Sequence, residues 1–388
     1  MRLGTVPSRA DKDMDERIKI VFGVNDFLVG GMQRQLTEQL KHFDTARFDI
    51  QVVTLFDFPD QQTLYHCVPS GFPVHRLSFS GWWDIGSWLE LYDLMRGLSP
   101  DIVVSSLFFS NTVFRILKPF FPYVSIAREH NTYTDKPASQ RLLDRMLARI
   151  SYRIVAVSRT VADFTARQER IPREKFLVIH NGVDTAAARE RLSSLPLAEE
   201  TRRSLGFSSS DRILLSVSRL TPQKNLSLLV RSFARFRATH PGFRLAFVSD
   251  GPLRAELERE VESLGQTEAV RFFGYQEDVW PFYQVADALV STSSIEGLSN
   301  AMLEALAAGV PLVATKTAGT DELIEEGKNG YFIKDASEDR AVETLTAYAA
   351  ASRDALSEAA AETAERFSIQ ATVRAYEALF TECKEGVR

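Results

Sequence analysis

The sequence predicts an α/β protein of two domains, each built on a doubly wound parallel sheet. Three observations carry that expectation. The chain has 388 residues, too many for one ordinary core and enough for two domains of about 150 to 200 residues each. Strand-like apolar runs alternate with helical segments in two successive series, the pattern that βαβ units leave in a sequence. A turn-rich stretch, His180-Asn-Gly-Val-Asp184, separates the two series. With 45% hydrophobic and 25% charged residues the composition is ordinary for a globular protein. A net charge of −5 excludes a whole-molecule polyanion binder. Cys67 and Cys383 are too few for a disulfide framework and fit a reducing cytosol.

In chain order, residues 1–17 form a polar tail with no signal-peptide core. The tail holds the only Asp-x-Asp patterns, Asp11-Lys-Asp13 and Asp13-Met-Asp15, which read as solvated charge rather than as a metal site. Residues 18–185 make the first domain, opening on the apolar strand Ile18–Val24. Gly30-Gly31 follows and precedes a helix expected to reach about Phe43. Adjacent glycines let backbone amides approach a ligand, and a helix N-terminus favours phosphate. No Gly-x-Gly and no Gly-x4-Gly-Lys occurs, so the dinucleotide fingerprint and the nucleotide phosphate loop are both absent. Further strands are expected over 48–55, 101–105, 123–127 and 153–157. Residues 186–366 make the second domain, with strands over 212–218, 243–249, 270–273, 287–291 and 311–314. Residues 367–388 read as a terminal helix with Val373, Tyr376, Leu379 and Phe380 on one face.

The stretch richest in chemistry runs from Ser291 to Ala314. It leaves a strand, passes through small polar residues and becomes a helix whose apolar positions Ala301, Met302, Ala305, Leu306 and Ala308 follow the helical period. Gly309 suits the C-terminal cap and Pro311 cannot extend the helix. The amides of Leu298, Ser299 and Asn300 fall near the helix N-terminus, where free N–H groups and the macrodipole favour an anion. Glu296 precedes that cradle and Glu304 follows it, so one short segment offers anion binding with a hydroxyl-binding carboxylate on each side. Upstream, Arg219 and Lys224 follow a strand at the edge where open α/β sheets bind ligands. Alone, an Arg and a Lys in a loop read as surface charge, and at this edge they suit an anionic ligand.

These residues lie within a longer series: Ser216-Val-Ser-Arg-Leu-Thr-Pro-Gln-Lys-Asn225, Ser249-Asp-Gly-Pro-Leu-Arg254, Val270-Arg-Phe-Phe-Gly-Tyr275, Ala318-Gly-Thr-Asp-Glu-Leu-Ile324 and Gly327-Lys-Asn-Gly330. In order and spacing the series resembles the retaining glycosyltransferases of family 4, over roughly residues 18 to 383. Ser249 departs from the family, which more often has glycine before Asp-Gly-Pro. The resemblance implies a GT-B fold, two Rossmann-like doubly wound parallel-sheet domains facing across a cleft, with the terminal helix crossing back onto the first domain. It implies transfer of a hexose-type sugar from a UDP- or GDP-sugar to a glycan or lipid-linked acceptor, as in cell-surface polysaccharide or glycolipid synthesis, with no cofactor or metal. In that scheme Arg219 and Lys224 meet the diphosphate, Glu304 the ribose hydroxyls and Glu296 the transferred sugar. The loop at Tyr275 meets the base, and Gly30-Gly31 matches the family's glycine loop facing the diphosphate. His130, in Arg128-Glu-His-Asn131, matches the histidine beside the reacting sugar, where it would hydrogen-bond the sugar or orient the acceptor. Retaining relatives are commonly described as front-face reactions in which the leaving phosphate itself accepts the acceptor's proton.

Residues 111–175 hold 13 Lys or Arg against 6 Asp or Glu, a local +7. Arg141, Arg145 and Arg149 fall four apart, as on one face of a helix. Phe108, Phe109, Phe114, Phe120 and Phe121 lie nearby, with Trp82, Trp83 and Trp88 upstream. Basic residues beside exposed aromatics suit an anionic membrane surface, and a solvated helix face over core aromatics is the competing reading. No apolar run reaches the roughly 18 residues that a membrane span needs, so a cytoplasmic protein, peripheral at most, is expected. Two other classes fit parts of the pattern: a nucleotide-sugar epimerase of similar fold and a catalytically idle sugar-nucleotide-binding protein. Nucleic-acid binding is not expected, because the basic segment is local and no recognition motif accompanies it.

Overall fold

The computed structural model describes residues 17–386. The chain divides into two compact units. The first runs through His130, resumes over Thr134–Ile179 and ends with the segment from Thr372. The second contains Asn131–Tyr133 and His180–Ala371. The units part at Ile179/His180 and at Ala371/Thr372, several residues from the boundaries after 185 and 366 read in the sequence. The Asp-x-Asp patterns lie outside the described residues.

In the first unit seven strands form one sheet: β1 (Ile18–Val24), β2 (Phe48–Thr54), β3 (Val74–Arg76), β4 (Ile102–Ser106), β5 (Val124–Glu129), β6 (Arg153–Ala156) and β7 (Phe176–Val178). Their order is β3-β2-β1-β4-β5-β6-β7 and every pairing is parallel. The strand order reverses between β1 and β4, so the loops leaving those two strands flank a topological switch point. The terminal helix Ile369–Gly386 packs in this unit on the apolar face expected of it. The Phe380 ring lies 5.8 Å from that of Phe48 and 6.3 Å from that of Phe22. Lys384 pairs with Asp101 at 2.5 Å.

The second unit holds six parallel strands: β8 (Arg212–Val217), β9 (Phe243–Val248), β10 (Val270–Phe272), β11 (Ala288–Ser291), β12 (Leu312–Thr315) and β13 (Gly330–Ile333). Their order is β10-β9-β8-β11-β12-β13, with the switch point between β8 and β11, where Ala288 aligns with Leu214. Both faces are covered. Leu229, Phe233 and Phe236 of the Leu226–Arg237 helix join Leu214, Leu245 and Phe247 of the strands in one buried cluster. Full burial of such side chains stabilises the fold by about 1.5–3 kcal/mol each.

Three strands have no clear signal in the sequence: β3, β7 and β13. Each is a three- or four-residue edge strand, too short to show alternation. The first helix, Gly31–Leu40, stops short of Phe43, where the Asp44 carboxylate accepts from the Ala46 amide and turns the chain. The Ala138–Leu147 helix carries Arg141 and Arg145, but Arg149 falls in the turn beyond it. Phe114 is wholly buried in the first core and belongs to no exposed aromatic surface.

Candidate active site

The second unit brings the loops after β8 and β11 together, one on each side of its switch point. After β8 the chain makes a short 3-10 turn, Pro222–Lys224, and Asn225 takes the left-handed conformation (φ 48°) before the next helix starts. The buried Thr292 hydroxyl, just past β11, donates to the Lys224 and Asn225 carbonyls at 3.0 and 2.9 Å. The Ser294 amide and the Gln223 side chain add two more bonds between the loops, at 2.9 and 2.7 Å. Lys224 is thereby set beside Glu296, and its ammonium donates to Glu296 Oε2. The side chains of the pair are only 19% and 17% exposed. Ser293 Oγ also reaches that oxygen, at 3.4 Å. Lys224, Glu296, Ser293 and Ser299 line one small pocket with Ser216 and Ser218.

Leu298, Ser299 and Asn300 enter the Asn300–Ala307 helix, whose N-cap Ser299 has extended backbone and no side-chain cap bond. The first amides of such a helix have no intrahelical acceptor and point out of its N-terminus. The segment is held from two sides. Asn181, itself buried, donates to the Leu298 carbonyl at 3.0 Å and to Asn300 Oδ1 at 3.3 Å. Gly319 packs so closely that a Cβ there would collide with the Gly297 carbonyl. His180 Nε2 meets Glu322 Oε2 at 2.6 Å in the same region. One turn into the helix, Glu304 Oε2 accepts from the Tyr283 hydroxyl at 2.9 Å.

The other residues singled out in the sequence take varied positions. Arg219 is exposed and does not line the pocket that Lys224 and Glu296 share. Its neighbour Leu220 is bonded on both sides to the Asp250–Leu253 turn. Gly251 lets that turn approach, since a Cβ there would lie 2.5 Å from the Leu220 carbonyl oxygen. Ser249 sits at φ 124°, backbone that favours glycine. Its amide donates to the Gly274 carbonyl at 2.8 Å, and Gly274 (φ 70°) leads into the exposed Tyr275.

Gly30 and Gly31 open the Gly31–Leu40 helix of the first unit, with Gln33 folded back onto Asp26 at 3.0 Å. His130 follows the C-terminal end of β5. Burial, with Arg128 adding to it, holds its pKa well below the ordinary range, so the imidazole is neutral at pH 7. Its buried Nε2 has no hydrogen-bond partner among the described residues. Beside it lies an ionic network with no local sequence signal. Asp144 bonds Arg115 at 2.5 Å and Lys136 at 2.6 Å, and Lys136 also reaches Glu169. Burial raises the Glu129 carboxyl, and raises that of Glu169 to about 7. Among the described residues no three His, Cys, Asp or Glu side chains gather as a metal-binding group. No helix among them is long and apolar enough to cross a membrane.

Asn181 and Tyr283, which hold the site's segment in place, escaped the sequence reading. Asn181 was visible only as part of a turn-rich hinge. Tyr283 reads as one more apolar residue in a short helix.

Two parallel-sheet α/β units, each with a switch point in its strand order, are the architecture of the GT-B class. A family profile described as Glycosyl transferases group 1 matches residues 198–368, and one described as Glycosyltransferase Family 4 matches residues 29–187. The chain belongs to glycosyltransferase family 4 and has the GT-B fold. It is similar to the Vi polysaccharide biosynthesis protein VipC/TviE of Salmonella typhi, 31% identical over 180 residues, or 46% of this chain and 30% of that one. It is also similar to an alpha-monoglucosyldiacylglycerol synthase of Acholeplasma laidlawii, 25% identical over 160 residues, 41% of this chain and 40% of that one. The matches thus span less than half the length of these two relatives. Among solved structures, Anabaena Alr3699/HepE in complex with UDP superposes with a TM-score of 0.80 at 20% identity, over 94% of this chain and 100% of that one.

Proposed function

We propose that this protein is a retaining, metal-independent glycosyltransferase that moves a hexose-type sugar from a UDP- or GDP-sugar to a glycan or lipid-linked acceptor. The observation that carries the reading is the placement of Lys224 and Glu296 beside the 298–300 cradle, with Glu304 one turn along the same helix. A nucleoside diphosphate sugar presents ribose hydroxyls, anionic phosphates and a sugar in that order, and the site offers a carboxylate (Glu304), a cation with helix amides, and a second carboxylate (Glu296).

In the reaction the bond between the anomeric carbon and the diphosphate oxygen breaks, and the acceptor hydroxyl oxygen bonds that carbon on the same face. The acceptor's proton passes to the departing phosphate oxygen. Lys224, with Arg219 in the same loop, stabilises the charge that gathers on the diphosphate, and the cradle amides share it. Glu296 holds the sugar as its ring gains positive charge, and Glu304 binds the ribose. The loop at Tyr275 meets the base through backbone groups, and the neutral His130 offers a hydrogen bond to a sugar or acceptor hydroxyl. The similarity to a protein named for Vi polysaccharide biosynthesis and to one named alpha-monoglucosyldiacylglycerol synthase favours a polysaccharide or glycolipid product.

A peripheral membrane contact has its own support in the first unit. Ile116, Phe120, Leu142, Met146 and Ile150 are all exposed, and Lys118, Arg141, Arg145 and Arg149 lie among them. Apolar side chains among cations match the boundary of an anionic leaflet.

The test is a panel of UDP- and GDP-sugars, first for thermal stabilisation and then for diphosphate release with candidate acceptors, with and without chelator. Acceptor-dependent release that survives chelator, with a product of unchanged anomeric configuration, is expected. Sugar isomerisation without acceptor would establish the epimerase instead, binding without turnover the idle protein, and an inverted product would overturn retention.

A further inference from the structure

The contact between Tyr283 and Glu304 assigns a role to a residue that no motif marks. Tyr283 lies on the short Trp280–Val285 helix, with its side chain fully buried. Its ring meets that of Trp280 edge-on at 5.7 Å, so the phenol is fixed from behind. The hydroxyl donates to Glu304 Oε2 at 2.9 Å and lies 3.2 Å from the Ala301 carbonyl, one turn back on the helix that carries Glu304. A glutamate on a helix can otherwise sample several rotamers, and ordering it on binding would cost affinity. Here one carboxylate oxygen is tied to a buried phenol of the neighbouring Trp280–Val285 helix.

We infer that Tyr283 is a positioning residue that sets the Glu304 carboxylate for recognition of the ribose hydroxyls and so fixes the protein's preference for ribonucleotides over deoxyribonucleotides. The inference rests on the proposed ribose role of Glu304. A carboxylate held in one orientation binds a particular hydroxyl pair, and a freely turning one spends part of that advantage on its own ordering. Loss of the phenol hydroxyl therefore weakens the hydroxyl-dependent part of nucleotide binding and leaves the phosphate-dependent part in place.

The experiment is calorimetric titration of UDP and 2′-deoxy-UDP into the wild-type chain, Tyr283→Phe and Glu304→Gln, with the guanine pair used instead where GDP binds more tightly. The wild type should prefer the ribonucleotide by roughly tenfold or more, the worth of a hydrogen bond to a charged group. Tyr283→Phe should lose most of that preference through weaker binding of the ribonucleotide, while affinity for the deoxy form stays nearly constant. Equal weakening of both nucleotides, or a preserved preference, overturns the positioning role and leaves Tyr283 a packing residue. Should Tyr283→Phe not fold, Tyr283→Met removes the hydroxyl with an adaptable apolar side chain and is read in the same way. Glu304→Gln separates the two failures. If it too keeps the preference, the ribose assignment of Glu304 is wrong. If it abolishes the preference and Tyr283→Phe does not, only the inference about Tyr283 falls.

Discussion

Lys224 and Glu296, 72 residues apart in sequence, meet as an ion pair with more than four-fifths of each side chain buried. The cation assigned to the diphosphate and the carboxylate assigned to the sugar thus neutralise one another when neither ligand is bound. Each would lose its partner if the other were removed, and an uncompensated, partly buried charge is destabilising. Lys224→Ala should lower turnover on the order of a hundredfold, the scale of losing one preorganised charge partner. It should also lower Tm, and a Lys224→Ala/Glu296→Gln double variant should regain part of that stability but none of the activity. Strictly additive Tm losses would show that the two side chains are not coupled in solution. Arg219, exposed and outside the pocket, should affect turnover without any stability cost.

Ser249 stands at φ 124° in the turn that supports the Arg219 loop. Such backbone costs a side-chain-bearing residue about 1–3 kcal/mol, and glycine's extra unfolded-state entropy offsets roughly 0.5–1 kcal/mol of the relief. Ser249→Gly should therefore stabilise the second unit by about 1 kcal/mol, a Tm rise of about 2–4 °C for a unit of this size. A fall in Tm would mean that the serine side chain contributes more than its backbone costs.

The Glu169 carboxyl, whose ordinary pKa is 4.5, titrates near 7 in the fold because burial disfavours its charge, with Glu129 opposing it further. The folded chain then holds a proton between those values that the unfolded chain releases. The stabilising contribution is complete below about 4.5 and is lost as pH rises through about 7. His130 acts in the opposite sense, since its lowered pKa makes the fold lose stability as pH falls below the ordinary 6.5. A difference measurement removes that confusion. The Tm of Glu169→Gln minus that of the wild type should rise from pH 5 to about pH 7 and level off above it. A flat difference would place the Glu169 titration outside this range.

Much of the second unit was legible because its signals are local. The apolar period of 300–307, the Gly309 cap and Pro311 are all read within a dozen residues, and the strands flanking them are continuous apolar runs. What escaped depends on distance in sequence. The edge strand β13 owes its strand to pairing with β12, since four residues carry no period of their own. The network of Arg115, Lys136, Asp144 and Glu169 reads in sequence as scattered surface charge. It becomes an ionic cluster only when the helices carrying Arg115, Asp144 and Glu169 pack together. Tyr283 likewise gains its meaning from Glu304, twenty-one residues on.

The exposed side chains Ile116, Phe120, Leu142, Met146 and Ile150 give the proposed membrane contact a direct test. Arg145 and Arg149 are both exposed in the same stretch of chain, and a basic residue near an anionic leaflet contributes about 1 kcal/mol. Arg145→Glu/Arg149→Glu should reduce sedimentation with phosphatidylglycerol vesicles on the order of a hundredfold, allowing for attraction lost and repulsion gained. Binding to phosphatidylcholine vesicles should be weak for both chains. Equal binding of the double variant to the anionic vesicles would leave this surface an ordinary solvated one.

Glu296 and Glu304 look alike in sequence but should fail differently. Glu304 is assigned to the ribose, which takes no part in bond making, so Glu304→Gln should weaken the sugar nucleotide and the free diphosphate alike. Glu296 is assigned to the sugar, whose ring gains positive charge as the diphosphate leaves, so Glu296→Gln should fall mainly on kcat. The ion pair sharpens this expectation, because removing the Glu296 charge releases Lys224 for the phosphates. Affinity for the free diphosphate should then stay constant or rise in Glu296→Gln, while turnover with the sugar nucleotide drops. Calorimetry of UDP or GDP into both variants, beside turnover with the corresponding donor, makes the comparison. If Glu296→Gln loses diphosphate affinity as severely as Glu304→Gln, the carboxylates do not divide the donor between them and the assigned roles fail.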